Sequence, residues 1–428
     1  MSGVNFLEKL LDGVAVEWRP LGELAEIYGG LTGKSKSDFD GGNAKYIAYK
    51  NIFANIDIDL SSLELVKVLE SESQHEVKYG DVLFTGSSET ADEVGMSSSV
   101  TTHVEDSVYL NSFSFGVRFN KNVKVIPEFS KHLFRSGFMR TEIAKTASGV
   151  TRFNISKERF KKILVPIVCP DNPQKSLEIQ AEIVRILDTF AELTAELTAE
   201  LTARKKQYKH YRDKLLSFED GVVEWKTLGD VCHVGSGGTP STAKKEYWDN
   251  GDIPWLKSES CNNKSVYAAG NFITELGLKN SSAKILDKDT TLIALVGATI
   301  FKTAYLEFVA ATNQNIASIK SKDCELLNDK FIFYYITNLY DELKNQMRNY
   351  GMLNLSSLKQ FKLPVPYPDN PDKSIAEQKR IVGILDKFEV LTNSISEGLP
   401  REIALRQKQY EHYRDLLLRF PGAKEVKG

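Results

Sequence analysis

Long apolar runs are missing: nowhere in the 428 residues is there a stretch approaching the roughly 18 apolar residues that a helix needs to cross a bilayer. No membrane span is expected. The opening MSGVNFLEKLLDG carries acids and no extended apolar core, so an export signal is not expected either, and the chain reads as cytoplasmic. Cysteine is scarce. Cys169, Cys232, Cys261 and Cys324 lie far apart and share no metal-ligand spacing, which argues against a disulfide framework and a zinc site, and they read as reduced, mostly buried thiols. Excess basic charge is absent as well, the net charge being −2. Any nucleic-acid surface must therefore be a local basic patch or be completed by a more basic partner.

Catalytic signatures are also lacking. Gly29-Gly30-Leu31-Thr32-Gly33-Lys34-Ser35 falls one residue short of a phosphate loop and the following SKSDFDGGN does not read as a helix. Pro371-Asp372 with Glu377-Gln378-Lys379 has the order of a nuclease motif. Its acids, however, sit where a helix N-terminus attracts them, and no strand carries them. Neither an adenine-methylation tetrapeptide nor a Gly-rich cofactor loop behind a strand occurs, and the histidines are scattered without a nucleophile partner. An enzyme acting alone is thus disfavoured.

What is present is a rod. From Ser176 to Phe218 apolar residues recur at helical spacing without a Gly or Pro, among them Ile179, Ile183, Leu187, Phe190, Leu193, Leu197, Leu201, Tyr208, Tyr211 and Leu215. This predicts one amphipathic helix of roughly 60 Å that needs a partner. The partner is in the same chain, because 369–420 repeats the pattern. Gln180, Leu187, Asp188, Phe190, Tyr208, Tyr211, Arg212 and Asp213 are answered by Gln378, Leu385, Asp386, Phe388, Tyr410, Tyr413, Arg414 and Asp415. The first rod carries ELTA three times over Glu192–Ala203. In the second, Gly398 and Pro400 predict a kink or restart. Phe6–Leu11 followed by VEW repeats the end of the first rod, which places the N-terminus beside 416–420 and gives a circular, pseudo-two-fold arrangement.

The 42% hydrophobic content is ordinary for a soluble globular chain and leaves enough for two heads with cores of their own. The expected order is a tail at 1–15, a head at 16–170, a rod at 171–221, a second head at 222–368, a second rod at 369–420 and a tail at 421–428. The heads read as short strands (KYIAYKNI, GDVLFTG, VYLNSFSFGVRF; GDIPWLKSES, TLIALVGATIF, NIASIKSK) with helices at PEFSKHLFRSGFMRTEIAKTA and NDKFIFYYITNLYDELKNQM. The expected class is α+β, with the two long helices pairing as an antiparallel coiled coil.

GGTPS at Gly237–Ser241, YW at Tyr247-Trp248 and GDIPW at Gly251–Trp255 closely resemble the opening of a target-recognition domain in Type I restriction–modification specificity subunits. GVTRFNIS and GMLNLSS resemble its exit, the rods with IVRILDTF and IVGILDKF resemble the family's two conserved regions, and the ELTA run and the DGV-VEW joints are similar to the IC class of these subunits. The first head has Gly29-Gly30 but neither TPS nor IPW. The resemblance implies a DNA-reading subunit without catalysis of its own, each head reading one part of an asymmetric, two-part site. It implies two modification subunits, holding S-adenosylmethionine, and two restriction subunits, using ATP and Mg, as partners, with no cofactor on this chain.

Reading bases requires amides and cations on loops, with further Lys, Ser and Thr on phosphates. The candidates are Lys34, Lys36, Lys50, Asn51, Ser87, Ser88, Arg152 and Asn154 in the first head. In the second they are Thr239, Ser241, Lys244, Lys257, Ser258, Thr299, Lys302, Asn313, Gln314 and Asn354. Trp248 and Trp255 read as core. The rival reading is a scaffold whose rods assemble partners and whose heads bind protein.

Overall fold

The computed structural model describes residues 4–219, 223–346, 352–394 and 397–422. The chain forms two compact units, Met1–Leu197 with Glu402–Gly428, and Thr198–Arg401. Each unit thus contains one head and half of each rod.

The first rod is a single helix, Pro173–Leu215, as its uninterrupted periodicity requires. It buries Ser176, Ile179, Gln180, Ile183 and Leu187, whereas Leu193 in the ELTA run is 39% exposed. The expected apolar stripe is therefore deep only beside the head. Through the ELTA run threonines bond one turn back, Thr194 to the Phe190 carbonyl at 2.8 Å and Thr202 to that of Thr198 at 2.9 Å. The second rod restarts, as expected. One helix spans Pro371–Asn393 and the next Gly398–Leu417. Gly398 has φ +74°, and a Cβ there would lie 2.4 Å from the Val390 carbonyl oxygen, so only glycine fits the joint.

In the first unit Phe190 stacks on Tyr413 with ring centroids 5.0 Å apart. In the second, Tyr208 and Tyr211 stack on Phe388 at 5.9 and 5.7 Å. Within the first unit Ile179, Ile183 and Leu187 share a core with Leu417, Leu418 and Phe420, and within the second Leu216 shares one with Ile381 and Leu385, so in each unit the paired rod segments run in the antiparallel sense the repeat predicts. The helix Val4–Leu11 buries Leu7 and Leu11 in the core that holds Leu417, Leu418 and Phe420, and Trp18 donates to the Pro421 carbonyl at 2.9 Å. The N-terminus thus completes the end of the second rod.

The first head has a four-stranded antiparallel sheet in the order Ala25–Gly29, Ser114–Phe119, Val82–Thr85, Ser97–Ser99. Beside it are three-stranded sheets of Glu64–Val66, Ala44–Ile47, Val108–Leu110 and of Ala147–Ser148, Phe153–Ile155, Ser87–Ser88. The second head has a five-stranded sheet, Cys232–Ser236, Ile316–Ser321, Thr290–Ala294, Thr303–Leu306, Lys264–Val266, and a four-stranded one, Asn271–Ile273, Ile253–Leu256, Ala310–Thr312, Ile285–Leu286. Four strand expectations need correction: GDIPWLKSES is a strand only over Ile253–Leu256 and TLIALVGATIF only to Ala294, before short 3-10 turns at Ser258–Ser260 and Gly297–Thr299. KYIAYKNI is a strand only to Ile47; Tyr49–Ala54 is a helix. VYLNSFSFGVRF is two strands in different sheets, divided at Asn111. Cys232 and Cys261 are buried, and burial pushes both thiols up to about 12, so neither is a nucleophile at neutral pH.

Each head is bolted to its rod by the glutamine the repeat shares. Gln180 accepts from the Ile126 N–H at 3.0 Å and donates to the Lys124 carbonyl at 2.9 Å and to Ser176 Oγ at 3.0 Å. Gln378 accepts from the Asn328 N–H at 2.8 Å and donates to the Leu326 carbonyl and Ser374 Oγ, both at 3.1 Å. About two helical turns further along, Asp188 meets His132 at 2.8 Å and Lys131 at 3.0 Å. Asp386 meets the Tyr334 hydroxyl at 2.6 Å and Lys330 at 3.0 Å. Burial holds His132 below the usual imidazole range, against the pull of Asp188, so the joint of the first unit is built around a neutral ring.

Candidate nucleic-acid interface

Both heads build the same turn from different residues. In the first, Leu31 N–H donates to the Leu110 carbonyl at 2.7 Å, Asn111 N–H to Ile47 at 3.2 Å, and Gly86 N–H to Phe113 at 2.8 Å. In the second, Gly238 donates to Thr312 at 2.8 Å, Asn313 to Leu256 at 3.0 Å, and Leu295 to Asn315 at 2.8 Å. The buried side chain of Asn111 accepts from the Phe113 N–H at 3.0 Å, and that of Asn313 accepts from Asn315 at 3.1 Å, each closing an Asx turn. Asn111 therefore corresponds to Asn313, Ser112 to Gln314 and Phe113 to Asn315. One frame displays Ser-Phe in one head and Gln-Asn in the other.

The glycine-rich loops are the support of this turn. A Cβ on Gly30 would lie 1.9 Å from the Asn111 carbonyl oxygen, and one on Gly237 2.0 Å from that of Thr312. Gly33, by contrast, has φ +68° with nothing within 4 Å. Gly30→Ala is therefore expected to lower stability by about 3 kcal/mol or more through backbone overlap, and Gly33→Ala by about 1 kcal/mol through its dihedral alone. Thermal melts of the two variants check this; equal midpoints would show that the close approach is not what requires Gly30.

Several candidates turn out to build the fold. The Lys34 side chain is 3% exposed and paired with Glu72. Buried Asn51 donates to the Asp59 carbonyl at 2.8 Å and accepts from the Asp59 N–H at 3.1 Å. Asn313 closes the turn just described, and Asn354 caps the helix Leu355–Lys359 by accepting from Ser357 N–H at 2.8 Å. Its counterpart is Ser156, which caps Lys157–Phe160, rather than Asn154. Lys36 is exposed on a short turn, and Lys50, with a side chain 78% exposed, pairs with Glu64 at 2.8 Å.

Others converge. Arg152 donates to Ser87 Oγ at 3.0 Å and lies 5.8 Å from the Phe113 ring centroid. Ser87 and Ser88 pair with Asn154 and Phe153 in one short sheet. Tyr49, Phe53, Ser87, Ser88, Phe113 and Arg152 line a shallow groove together with Thr151 and the acidic Glu89 and Glu93. In the second head Thr239 donates to exposed Gln314 at 2.5 Å. Exposed Lys244 bonds the Tyr247 hydroxyl at 2.9 Å, and exposed Lys257 lies 6.0 Å from the Trp255 ring centroid. Ser241 is exposed; Ser258, Thr299 and Lys302 are half-buried on loops flanking strands. Trp255 is buried in the core and meets the half-buried Trp248 edge-on at 5.0 Å.

Sequence reading missed the residues that shape these loops. Arg135 donates to the carbonyls of Ile52, Phe53 and Asn55 at 3.0, 3.2 and 3.0 Å and to that of Ser97 at 2.6 Å. Arg140 holds the carbonyls of Gly95, Asp92 and Val94 at 2.5, 2.8 and 2.7 Å. Both cations satisfy backbone oxygens rather than carboxylates, and burial pulls Arg135 down to about 10. Val150, 92% exposed between Ala147–Ser148 and Phe153–Ile155, was also missed. An exposed apolar residue carries no periodic signal.

The model of the Type I restriction modification DNA specificity domain matches residues 14–204 and again 222–405. The specificity subunit of the type I restriction enzyme EcoR124I/EcoR124II from Escherichia coli is 38% identical over 439 residues, spanning 100% of both chains. That of EcoprrI, also from Escherichia coli, is 34% identical over 93% of each. The fold is similar to the HsdS subunit structure from Thermoanaerobacter tengcongensis, with TM-score 0.51, 16% identity and coverage of 94% of this chain and 96% of that one. A chain solved in connection with assembly of the type I R-M system gives TM-score 0.61 at 17% identity, covering 94% and 97%. The duplicated heads, the duplicated rods and these matches together show that the chain belongs to the family of Type I restriction–modification DNA specificity subunits.

Proposed function

We propose that each head reads one part of an asymmetric, two-part DNA site and that the rods fix the gap between the parts. The observation carrying this is the shared Asx turn: one frame at one place in two heads, displaying Ser112-Phe113 in the first and Gln314-Asn315 in the second. Equal frames with unlike tips are what two readers of unlike sequences require, since base identity is told by the groups presented to groove edges.

On this reading the chain catalyses nothing itself. Two modification subunits, holding S-adenosylmethionine, dock on rods and heads and methylate adenine; two restriction subunits supply ATP- and Mg-dependent translocation and cleavage. The whole assembly works in the cytoplasm. The partners help enclose the DNA, which reconciles a net charge of −2 with DNA binding.

The test uses the chain purified with its modification partner, with salt held fixed. Methylated adenines mapped in host DNA give the two half-sites. Gln314→Ala should then weaken discrimination in one half-site by about tenfold or more while the other is unchanged. Loss spread evenly over both halves would contradict the modular reading. Equal binding of cognate and scrambled DNA by the unaltered complex would favour the scaffold instead.

A further inference from the structure

Phe113 is 63% exposed, yet its backbone N–H and carbonyl are both hydrogen-bonded. Its N–H is bound by the buried Asn111 side chain, whose amide also donates to the Ile47 carbonyl at 3.0 Å. Its carbonyl accepts from Gly86 N–H, where a Cβ would lie 2.7 Å from that oxygen. Folding thus leaves most of an apolar ring in water, with the Arg152 guanidinium 5.8 Å from its centroid. The ring stands at the position that Asn315 holds in the second head, next to the tip residue Gln314. Its neighbours in the groove are the hydrogen-bonding groups of Arg152, Ser87, Ser88 and Thr151, the rings of Tyr49 and Phe53, and the carboxylates of Glu89 and Glu93.

We infer that Phe113 is a specificity-determining residue of the first head, making apolar contact with a base edge that carries a thymine methyl, with Arg152 beside it for a neighbouring base. The inference rests on the DNA-reading assignment above and sharpens it. One turn carries two readout chemistries, apolar contact in the first head and amide hydrogen bonding in the second. A ring on a closed Asx turn suits this role, because the backbone that carries it is already ordered before binding.

The experiment measures the full chain with its modification partner against DNA in which each base pair of both half-sites is varied singly. Phe113→Ala should reduce discrimination by about tenfold at one or two adjacent pairs of the first half-site, leaving the second half-site intact. Replacing thymine by uracil at that place removes only the methyl. It should weaken the unaltered complex and leave the Phe113→Ala complex unaffected. Phe113→Asn, which copies the second head, should create a new preference at the same pair. Unchanged preference at every pair in Phe113→Ala, or insensitivity of the unaltered complex to uracil, would overturn the inference and leave the DNA-reading assignment standing. An unaltered complex without sequence preference would instead sink that assignment.

Discussion

Deleting Glu192–Ala195 is expected to leave both half-sites unaltered and to shift the favoured gap between them by one or two base pairs. A four-residue unit contributes about 6 Å of rise and 40° of rotation to a helix, against about 3.4 Å per base-pair step. The first rod transmits that change because Pro173–Leu215 is one uninterrupted helix. The second rod does not oppose it with a matching strut: its helices end at Asn393 and begin again at Gly398, where φ is already +74°. The deleted residues bury little, Leu193 being 39% exposed, so stability should fall by less than about 1 kcal/mol. Binding to the original spacing should drop by about a hundredfold or more, since one half-site's base contacts are misplaced. Methylation mapping on a library of spacer lengths reads this directly. An unchanged spacer would mean that the first rod is not the ruler, whatever the heads bind.

The rods were legible in the sequence because burial of one helix face imposes a period, here mainly against the head, and a period survives in any window long enough to count. The repeat even marked Gln180 and Gln378 as matched, although nothing in a sequence says that an amide will span a backbone N–H and a carbonyl. The restart at Gly398 was legible for a local reason, glycine being the residue that fits the joint. Site residues were not comparably visible. Asn51, Asn313 and Asn354 sit on loops and have the chemistry to bind a base, but the same amide closes a turn or caps a helix with equal ease, and here all three do so. Lys34 was lost to Glu72, a partner 38 residues away that no local pattern reveals. Phe113 was hidden for the opposite reason, since an aromatic next to a strand reads as core. Only the comparison of the two heads, bond by bond, separates the frame from what it displays.

A ruler is useful only if the heads are rigid on it, which makes the two glutamines the points where rod length becomes head position. Gln378 is fully buried. Gln378→Leu keeps the volume and strands the Asn328 N–H, the Leu326 carbonyl and the Ser374 hydroxyl, groups bonded at 2.8–3.1 Å. Each buried orphan costs about 1–3 kcal/mol, so the second unit should lose about 3–5 kcal/mol, seen as a lowered melting transition. Ser374→Ala removes a single partner of the same amide and should cost about 1 kcal/mol. Gln180→Leu should act alike on the first unit, where Ile126, Lys124 and Ser176 are the stranded groups. The functional consequence differs from that of a tip residue such as Gln314. With the joint loosened but the loops intact, each head still prefers its own bases, while the complex accepts a broader range of spacers. If Gln378→Leu instead altered base preference within the second half-site and left spacer tolerance narrow, the glutamine would belong to the reading surface and the rod would not govern the head through it.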